Sequence, residues 1–293
     1  MNLSTALQAA IQQKLKAHFS FAEKINFSPV SGGSINNTYC ISFGSQFVFC
    51  KINSATKFPQ LLAKEKSGLE LIQKQNIIKT PSVIDHFEFE NQQVLLLEWI
   101  TEDERTQSFW KSFGQQLAAL HQQSSGRFGL DEDNYMGSVP QSNRIHLDWI
   151  SFFTNERLQP MTRRCFDKNL LTKNHLQAFE NLQQKLPDIF EKENPSLLHG
   201  DLWSGNFTCN RSGEPVLIDP AVYFGHRSVD LAMTTLFGGF RQPFYEAYDY
   251  HFPLPKNYEE QWSVCNLYPL LIHLYLFGSS YLSQIERTLK KFA

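Results

Sequence analysis

The chain has 293 residues, of which 42% are hydrophobic, 14% aromatic and only 19% charged. That mixture excludes a disordered, collagen-like or coiled-coil chain and suits one large two-lobed domain or two small ones. Twenty-seven basic against 29 acidic residues give a net charge of −2, which offers no electrostatic footprint for a nucleic-acid backbone or an anionic membrane, so neither partner is expected.

Leu3, Leu7, Ala10, Ile11 and Leu15 recur at helical spacing, so residues 1–20 are predicted to open the chain with an amphipathic helix. Between Ile25 and Ile52 the texture changes to short β-type runs, YCISF and QFVFCKI, separated by Gly-Ser turns. An unbroken helical pattern spans Phe58 to Gln75, and two more β-type runs follow, HFEFE and QVLLLEWI. The predicted order is strand, strand, strand, helix, strand, strand, in an antiparallel sheet. After Thr101 long helical patterns dominate, at Phe109–Gln123, Trp149–Arg157, Thr172–Leu186 and Asn257–Phe292, with a loop-rich segment at Leu197–Arg227. The fold class expected is α+β, with a small β-rich lobe at residues 1–100, a larger mostly α lobe at 101–293, and a cleft between them.

Cys40, Cys50, Cys165, Cys209 and Cys265 form no CxxC pair and leave one over after any pairing, which reads as reduced intracellular thiols. For Cys40 and Cys50 the inert strand cysteine is the favoured reading over a redox-active thiol. The N-terminus has no basic region followed by an apolar one, and the apolar stretch Leu267–Phe277 is broken by Pro269 and His273. A cytoplasmic protein is expected.

Chemistry concentrates in LLHGDLWSGN, residues 197–206, and VLIDP, residues 216–220. Asp201 stands five residues before Asn206, the spacing of the protein-kinase catalytic loop, in which the Asp orients the attacking hydroxyl and the Asn holds a metal. Asp219 ends an apolar β-type run and suits a second magnesium ligand, because hard cations on oxygen ligands neutralise charge that spreads over the phosphoryl oxygens. The plain alternative is a turn in which Asp201 caps a helix.

The remaining parts of such a machine are also present. SGGSINNTY at 31–39 lies between β-type runs, where Gly32 and Gly33 would let backbone amides fold over phosphates, although a simple hairpin turn has the same composition. Lys51 ends a strand in FVFCK, in the manner of the kinase V-A-I-K lysine; lone strand lysines are more often solvated. In the following helix, Glu65 falls within the apolar stripe of Phe58, Leu61, Leu62, Leu69 and Ile72, and a carboxylate on a buried face needs a partner. Lys51 is the candidate partner for Glu65, while Glu70 points away and is the weaker choice. By position, Glu98 and Ile100 form a hinge segment whose backbone could hydrogen-bond an adenine. No P-loop, GxSxG or HExxH motif competes with this reading.

With HGDLWSGN, FGQQLAALH at 113–121, GRFGLDEDNYMGSVPQSN at 126–143, DWISFFTNERLQP at 148–160 and IDPAVYFGHRSVDLAMTTLFGGF at 218–240, the chain resembles the fructosamine kinase (ketosamine-3-kinase) family. This family is a branch of the kinase-like phosphotransferases that includes aminoglycoside phosphotransferases and choline kinases. The resemblance implies a bilobal protein-kinase-like fold, ATP and Mg²⁺ as cofactors, and transfer of the γ-phosphate to the 3-hydroxyl of a ketoamine, free or on a protein lysine. It implies Asp201 as catalytic base, Asn206 and Asp219 as magnesium ligands, and Lys51 with Glu65 as the anchor of the ATP phosphates. Asp133, Asn134, Gln141, Asn143, Trp203 and Tyr223 become candidates for the sugar-amine pocket or its support, and Asp230 for a brace of the HGD backbone. Alternatives are a kinase of the aminoglycoside or choline type and, more distantly, a nucleotide-binding module without turnover. A monomer is expected rather than an obligate oligomer. IDPA departs from the protein-kinase DFG in having Pro220 where that segment flexes, so constitutive activity is expected.

Overall fold

A computed structural model describes residues 3–20, 25–30 and 35–292. The chain divides into two compact units, Met1–Glu104 with Thr208–Asp219, and Arg105–Phe207 with Pro220–Ala293.

The first unit holds α1 (Thr5–His18), β1 (Asn26–Pro29), β2 (Asn37–Phe43), β3 (Gln46–Ser54), α2 (Leu61–Lys74), β4 (Val83–Phe89) and β5 (Gln92–Glu98). The strands form an antiparallel sheet in the order β1-β2-β3-β5-β4, which places β3 between β2 and β5. Leu7, Ile11 and Leu15 of α1, one turn apart on one face, close the core over Ile41, Val48, Ile52, Val94 and Leu96. The helix predicted from Phe58 begins at Leu61, because Gln60 adopts a left-handed conformation with φ 59° and gives no side-chain cap. Buried Gln93 supplies the cap from β5: its Oε1 accepts from Leu62 N at 2.7 Å and its Nε2 donates to Phe58 O at 2.6 Å.

The second unit opens with α3 (Gln107–His121) and the ribbon β6 (Asn134–Met136) and β7 (Val139–Gln141). There follow α4 (Trp149–Phe152), a π-helical turn (Phe153–Leu158), α5 (Gln159–Asp167), α6 (Lys173–Ile189) and β8 (Ser196–Leu198). The hairpin β9 (Phe207–Cys209) and β10 (Pro215–Leu217) comes next, and its residues 208–217 group with the sheet rather than with the helices. Backbone bonds explain the grouping: Leu217 N donates to Lys79 O at 2.8 Å, and Asp103 N to Cys209 O at 2.9 Å. The chain ends with β11 (Tyr223–Gly225), α7 (Ser228–Leu236), α8 (Gln242–His251), α9 (Tyr258–Cys265), α10 (Leu267–Phe277) and α11 (Leu282–Leu289). The single helical run expected over 257–292 is thus three helices, divided at Asn266 and at Gly278, whose φ of 92° ends α10. Among the described residues no helix is long and apolar enough to cross a membrane.

The core of the second unit is aromatic, with Phe109, Trp110 and Phe113 of α3 packed on Phe207, Phe240 and Phe244. Helices α3 and α8 meet at Gly114, where a Cβ would lie 2.1 Å from Phe244 O and 2.9 Å from Tyr248 N. Both obstacles are backbone, so Gly114→Ala must part the helices. We expect a loss of about 1–3 kcal/mol, read as a lower thermal midpoint. An unchanged midpoint would show that this contact yields without cost.

Candidate active site

In the first unit, the β2-β3-β5 register places Lys51 between Thr38 and Leu95 in the middle of the sheet, where it is 2% exposed. Its Nζ donates to Glu65 Oε1 at 2.7 Å and also contacts the Asp219 carboxylate. Glu65 therefore finds its partner on the buried face of α2, whereas Glu70 pairs with Lys66 at 2.8 Å on the exposed side. Burial alone would lower the Lys51 pKa, but the charges of Asp219 and Glu65 outweigh it and hold the ammonium above the ordinary lysine range. Burial pushes the Glu65 carboxyl up, opposed by the Lys51 charge and reinforced by that of Asp219. One ammonium thus serves two carboxylates, of which Asp219 is the more exposed, at 42%. Asp219 is also a non-glycine residue at φ 54°, a left-handed backbone that costs energy and aims its side chain differently from a strand residue.

Gly32 and Gly33 lie outside the described residues. The flanks of their segment are tied down: Thr38 Oγ1 donates to Val30 O at 2.8 Å, and Asn53 Nδ2 to Asn36 Oδ1 at 2.6 Å. Glu98 and Ile100 line a cavity of about 210 Å³ with Lys79, Trp99 and Asn210. The Glu98 N–H donates to Ser82 O at 2.9 Å, while its carboxylate accepts from Ser82 N and Oγ at 3.1 and 3.0 Å.

In the second unit, β8 pairs with β11 and delivers the chain into His199-Gly200-Asp201. Gly200 has φ 83°, and a Cβ there would stand 2.1 Å from Ala221 O, so this turn requires glycine. Asp230, fully buried on α7, accepts from His199 N at 2.7 Å and Gly200 N at 2.8 Å. His121 extends the brace, with Nε2 3.2 Å from Asp230 Oδ2 and Nδ1 2.8 Å from the Tyr248 hydroxyl. Asn206 Nδ2 donates to Asp201 O at 2.8 Å and to Asp201 Oδ2 at 3.0 Å. With its nitrogen spent on Asp201, the Asn206 side chain keeps a carbonyl oxygen, the donor atom that a hard cation takes. A cation such as magnesium keeps several waters and needs only one or two protein oxygens beside substrate phosphates.

The six residues implied for the pocket or its support divide sharply. Asn134 donates to Val222 O at 2.7 Å, and Gln141 donates to Asn134 Oδ1 at 2.8 Å while accepting from the Tyr268 hydroxyl at 3.0 Å. Asn143 accepts from Arg157 Nη2 at 2.7 Å and takes the Asp133 carboxylate on its backbone N–H at 2.8 Å. Tyr223 is 1% exposed beneath the Arg157 guanidinium, 4.1 Å from its ring centre. All of these bonds are made within the protein and fix the chain just after Pro220. Trp203, by contrast, is 37% exposed.

Sequence reading passed over Gln93, Asn53 and Arg157. Arg157 is fully buried on the π-helical turn, where it also reaches Ser142 O. Its only sequence signal is an arginine in an aromatic-rich helical pattern.

The five-stranded antiparallel sheet unit and the helical unit carrying an HGD loop have the protein-kinase-like fold. A ternary complex of a thermostable mutant of aminoglycoside phosphotransferase APH(4)-Ia with AMP-PNP and hygromycin B shares that fold, with a TM-score of 0.64 at 13% identity over 97% of this chain and 99% of that one. The sequence model of the fructosamine kinase family matches residues 4–293, and the chain belongs to that family. A "Probable ketoamine kinase" from Synechocystis is 38% identical over 263 residues, covering 89% of this chain and 88% of its own. The crystal structure of a "Putative fructosamine-3-kinase" from Haemophilus somnus 129PT aligns with a TM-score of 0.86 and 29% identity, covering 96% of both chains. The protein is thus a phosphotransferase enzyme.

The Lys51–Glu65 pair yields a direct comparison of two helix carboxylates. Glu65→Gln should lower kcat/KM for the nucleotide at least ~10-fold, because it weakens a buried charge pair, whereas Glu70→Gln should stay within about twofold, as an exposed pair does. Steady-state kinetics of both variants decide it; a larger loss for Glu70→Gln would move the functional pair.

Proposed function

We propose that this enzyme transfers the γ-phosphoryl group of ATP to the 3-hydroxyl of a ketoamine, the adduct of a sugar with a free amine or a protein lysine. Asp201 accepts the proton of the acceptor hydroxyl as that oxygen takes the phosphoryl group. Asn206 fixes the Asp201 carboxylate through its amide nitrogen and offers its carbonyl oxygen to magnesium, as Asp219 offers its carboxylate. When bound, magnesium supplies neutralisation of the charge spread over the phosphoryl oxygens. Lys51, kept cationic by Glu65 and Asp219, supplies the fixed positive charge that binds the nucleotide phosphates, and Gly32 and Gly33 cover them. Glu98 and Ile100 bind the adenine through their backbone. Asp133, Asn134, Gln141, Asn143 and Tyr223 support the pocket, and Trp203 faces the acceptor. Enolisation of the C2 carbonyl towards C1 lets the C3–O bond break and phosphate leave, and water then hydrolyses the resulting imine to the free amine and a 3-deoxy dicarbonyl, which is deglycation.

The observation that carries this reading is the Asn206–Asp201 hydrogen bonding in a chain that matches ketoamine kinases along nearly its whole length. AMP-PNP in a neighbour of the same fold supports ATP as donor.

Nucleotide consumption with a ribulosamine, a fructosamine, an aminoglycoside and choline tests the reading. Turnover is expected with one or both ketoamines, and should cease with a chelator and return with magnesium. Turnover with the aminoglycoside or choline alone would reassign the acceptor, and turnover in excess chelator would remove the metal roles of Asn206 and Asp219.

A further inference from the structure

Within the second unit, five aromatic rings run in sequence from the HGD loop to the turn Ser279–Tyr281 that follows α10. Trp203, two residues past Asp201, lies 5.9 Å from Phe237, ring centre to ring centre, and Phe237 lies 4.9 Å from His273. His273 in turn stands 5.5 Å from Phe277 and 5.0 Å from Tyr281. Large apolar side chains normally seek burial, yet Trp203 is 37% exposed, Phe237 39% and Phe277 56%, so the run forms a continuous aromatic surface.

This surface is built onto the catalytic loop. Phe237 is followed by Gly238 and Gly239, both left-handed, and a Cβ on Gly239 would lie 2.5 Å from Ser204 Cβ. The two glycines thus let the Phe237 turn lie directly on the loop. A Cβ on Gly205 would lie 2.4 Å from the Trp203 ring, so that ring is seated against its own loop. His273 Nδ1 meets Pro269 O at 2.8 Å, and burial disfavours the charged form of its imidazole.

We infer that this aromatic strip receives an apolar or aromatic group carried on the amine side of the acceptor, making Phe237, Phe277 and Tyr281 specificity determinants of the reaction. The inference rests on the ketoamine reading above. Asp201 addresses a sugar hydroxyl, and whatever the amine bears must leave the loop along some surface. The strip is continuous with that loop, and flat apolar groups gain contact area on aromatic rings without having to place a charge. A small polar amine such as glycine would gain nothing there.

The test compares two ribulosamines that differ only in the amine, one made from phenethylamine and one from methylamine, with Mg-ATP and the intact enzyme. The parent should favour the phenethylamine adduct by about tenfold in kcat/KM, chiefly through KM. Phe277→Ala and Phe237→Ala should each bring the ratio towards one, while Tyr250→Ala, which removes an 83% exposed aromatic on α8, should keep the parent ratio. A parent ratio within about twofold of one, or a parent ratio retained in both strip variants, would overturn the inference while leaving the ketoamine reading intact. Failure to phosphorylate either adduct would overturn the ketoamine reading and this inference with it. Adding a ribulosylated lysine peptide with or without a neighbouring Phe then distinguishes a protein-borne from a free apolar group.

Discussion

Asp201→Asn should lower kcat at least ~10²-fold while nucleotide affinity and thermal midpoint stay close to the parent values. The substitution keeps the shape of the side chain and leaves an oxygen for Asn206 Nδ2, which now donates to Asp201 Oδ2 at 3.0 Å, so the loop has no reason to unfold. What disappears is the carboxylate proposed to take the acceptor proton, and a positioned general base contributes roughly 10²–10⁴-fold. Steady-state kinetics with nucleotide titration and a melting curve separate these effects. Undiminished turnover would remove Asp201 from the role of base, and an equal loss of nucleotide binding would make it a binding residue.

The second large effect belongs to Asp230, which touches no reacting atom. Its carboxylate takes two backbone N–H groups, from His199 and Gly200, and also faces His121 Nε2, all without solvent. Asp230→Ala leaves both backbone donors buried and unpaired, at about 1–3 kcal/mol each. We expect a loss of roughly 3–5 kcal/mol, seen as a marked fall in thermal midpoint, together with reduced kcat because the Asp201 backbone is no longer held. An unchanged midpoint would contradict the brace. Asp230→Asn, which keeps one acceptor oxygen and turns the other position into a donor facing an N–H, should fall between the parent and Asp230→Ala in stability.

Much of the frame was legible because it depends on local periodicity. Alternation located β2 to β5, and the helical stripe through Leu61, Leu62, Leu69 and Ile72 placed Glu65 inward before any partner was visible. The Lys51–Glu65 pair was legible because a buried carboxylate must find a cation and Lys51 ends its strand where the kinase V-A-I-K lysine does.

What escaped reading depends on contacts distant in sequence or on backbone exceptions. Gln93 caps α2 from 31 residues away, and a polar residue in an apolar strand gives no sign of that task. The pattern over Trp149–Arg157 looks uniformly helical, yet the wider turn at Phe153–Leu158 shifts the face and carries Arg157 inward onto Tyr223. The helix α8 was hidden because QPFYEAYDYH mixes aromatic and polar residues on every face, although only Phe244 and Tyr248, one turn apart, are buried. Asp219 showed its chemistry at the end of a β-type run, but neither its left-handed backbone nor its contact with Lys51 could be read there.

The measurement that bears most directly on the central claim is the position of the phosphate on the product. A ribulosamine incubated with the enzyme and Mg-ATP, then examined by phosphorus and proton NMR, should carry phosphate on the 3-hydroxyl and release its amine on standing. Phosphate on another hydroxyl, or an unmodified ribulosamine and fructosamine beside a phosphorylated aminoglycoside or choline, would contradict the account.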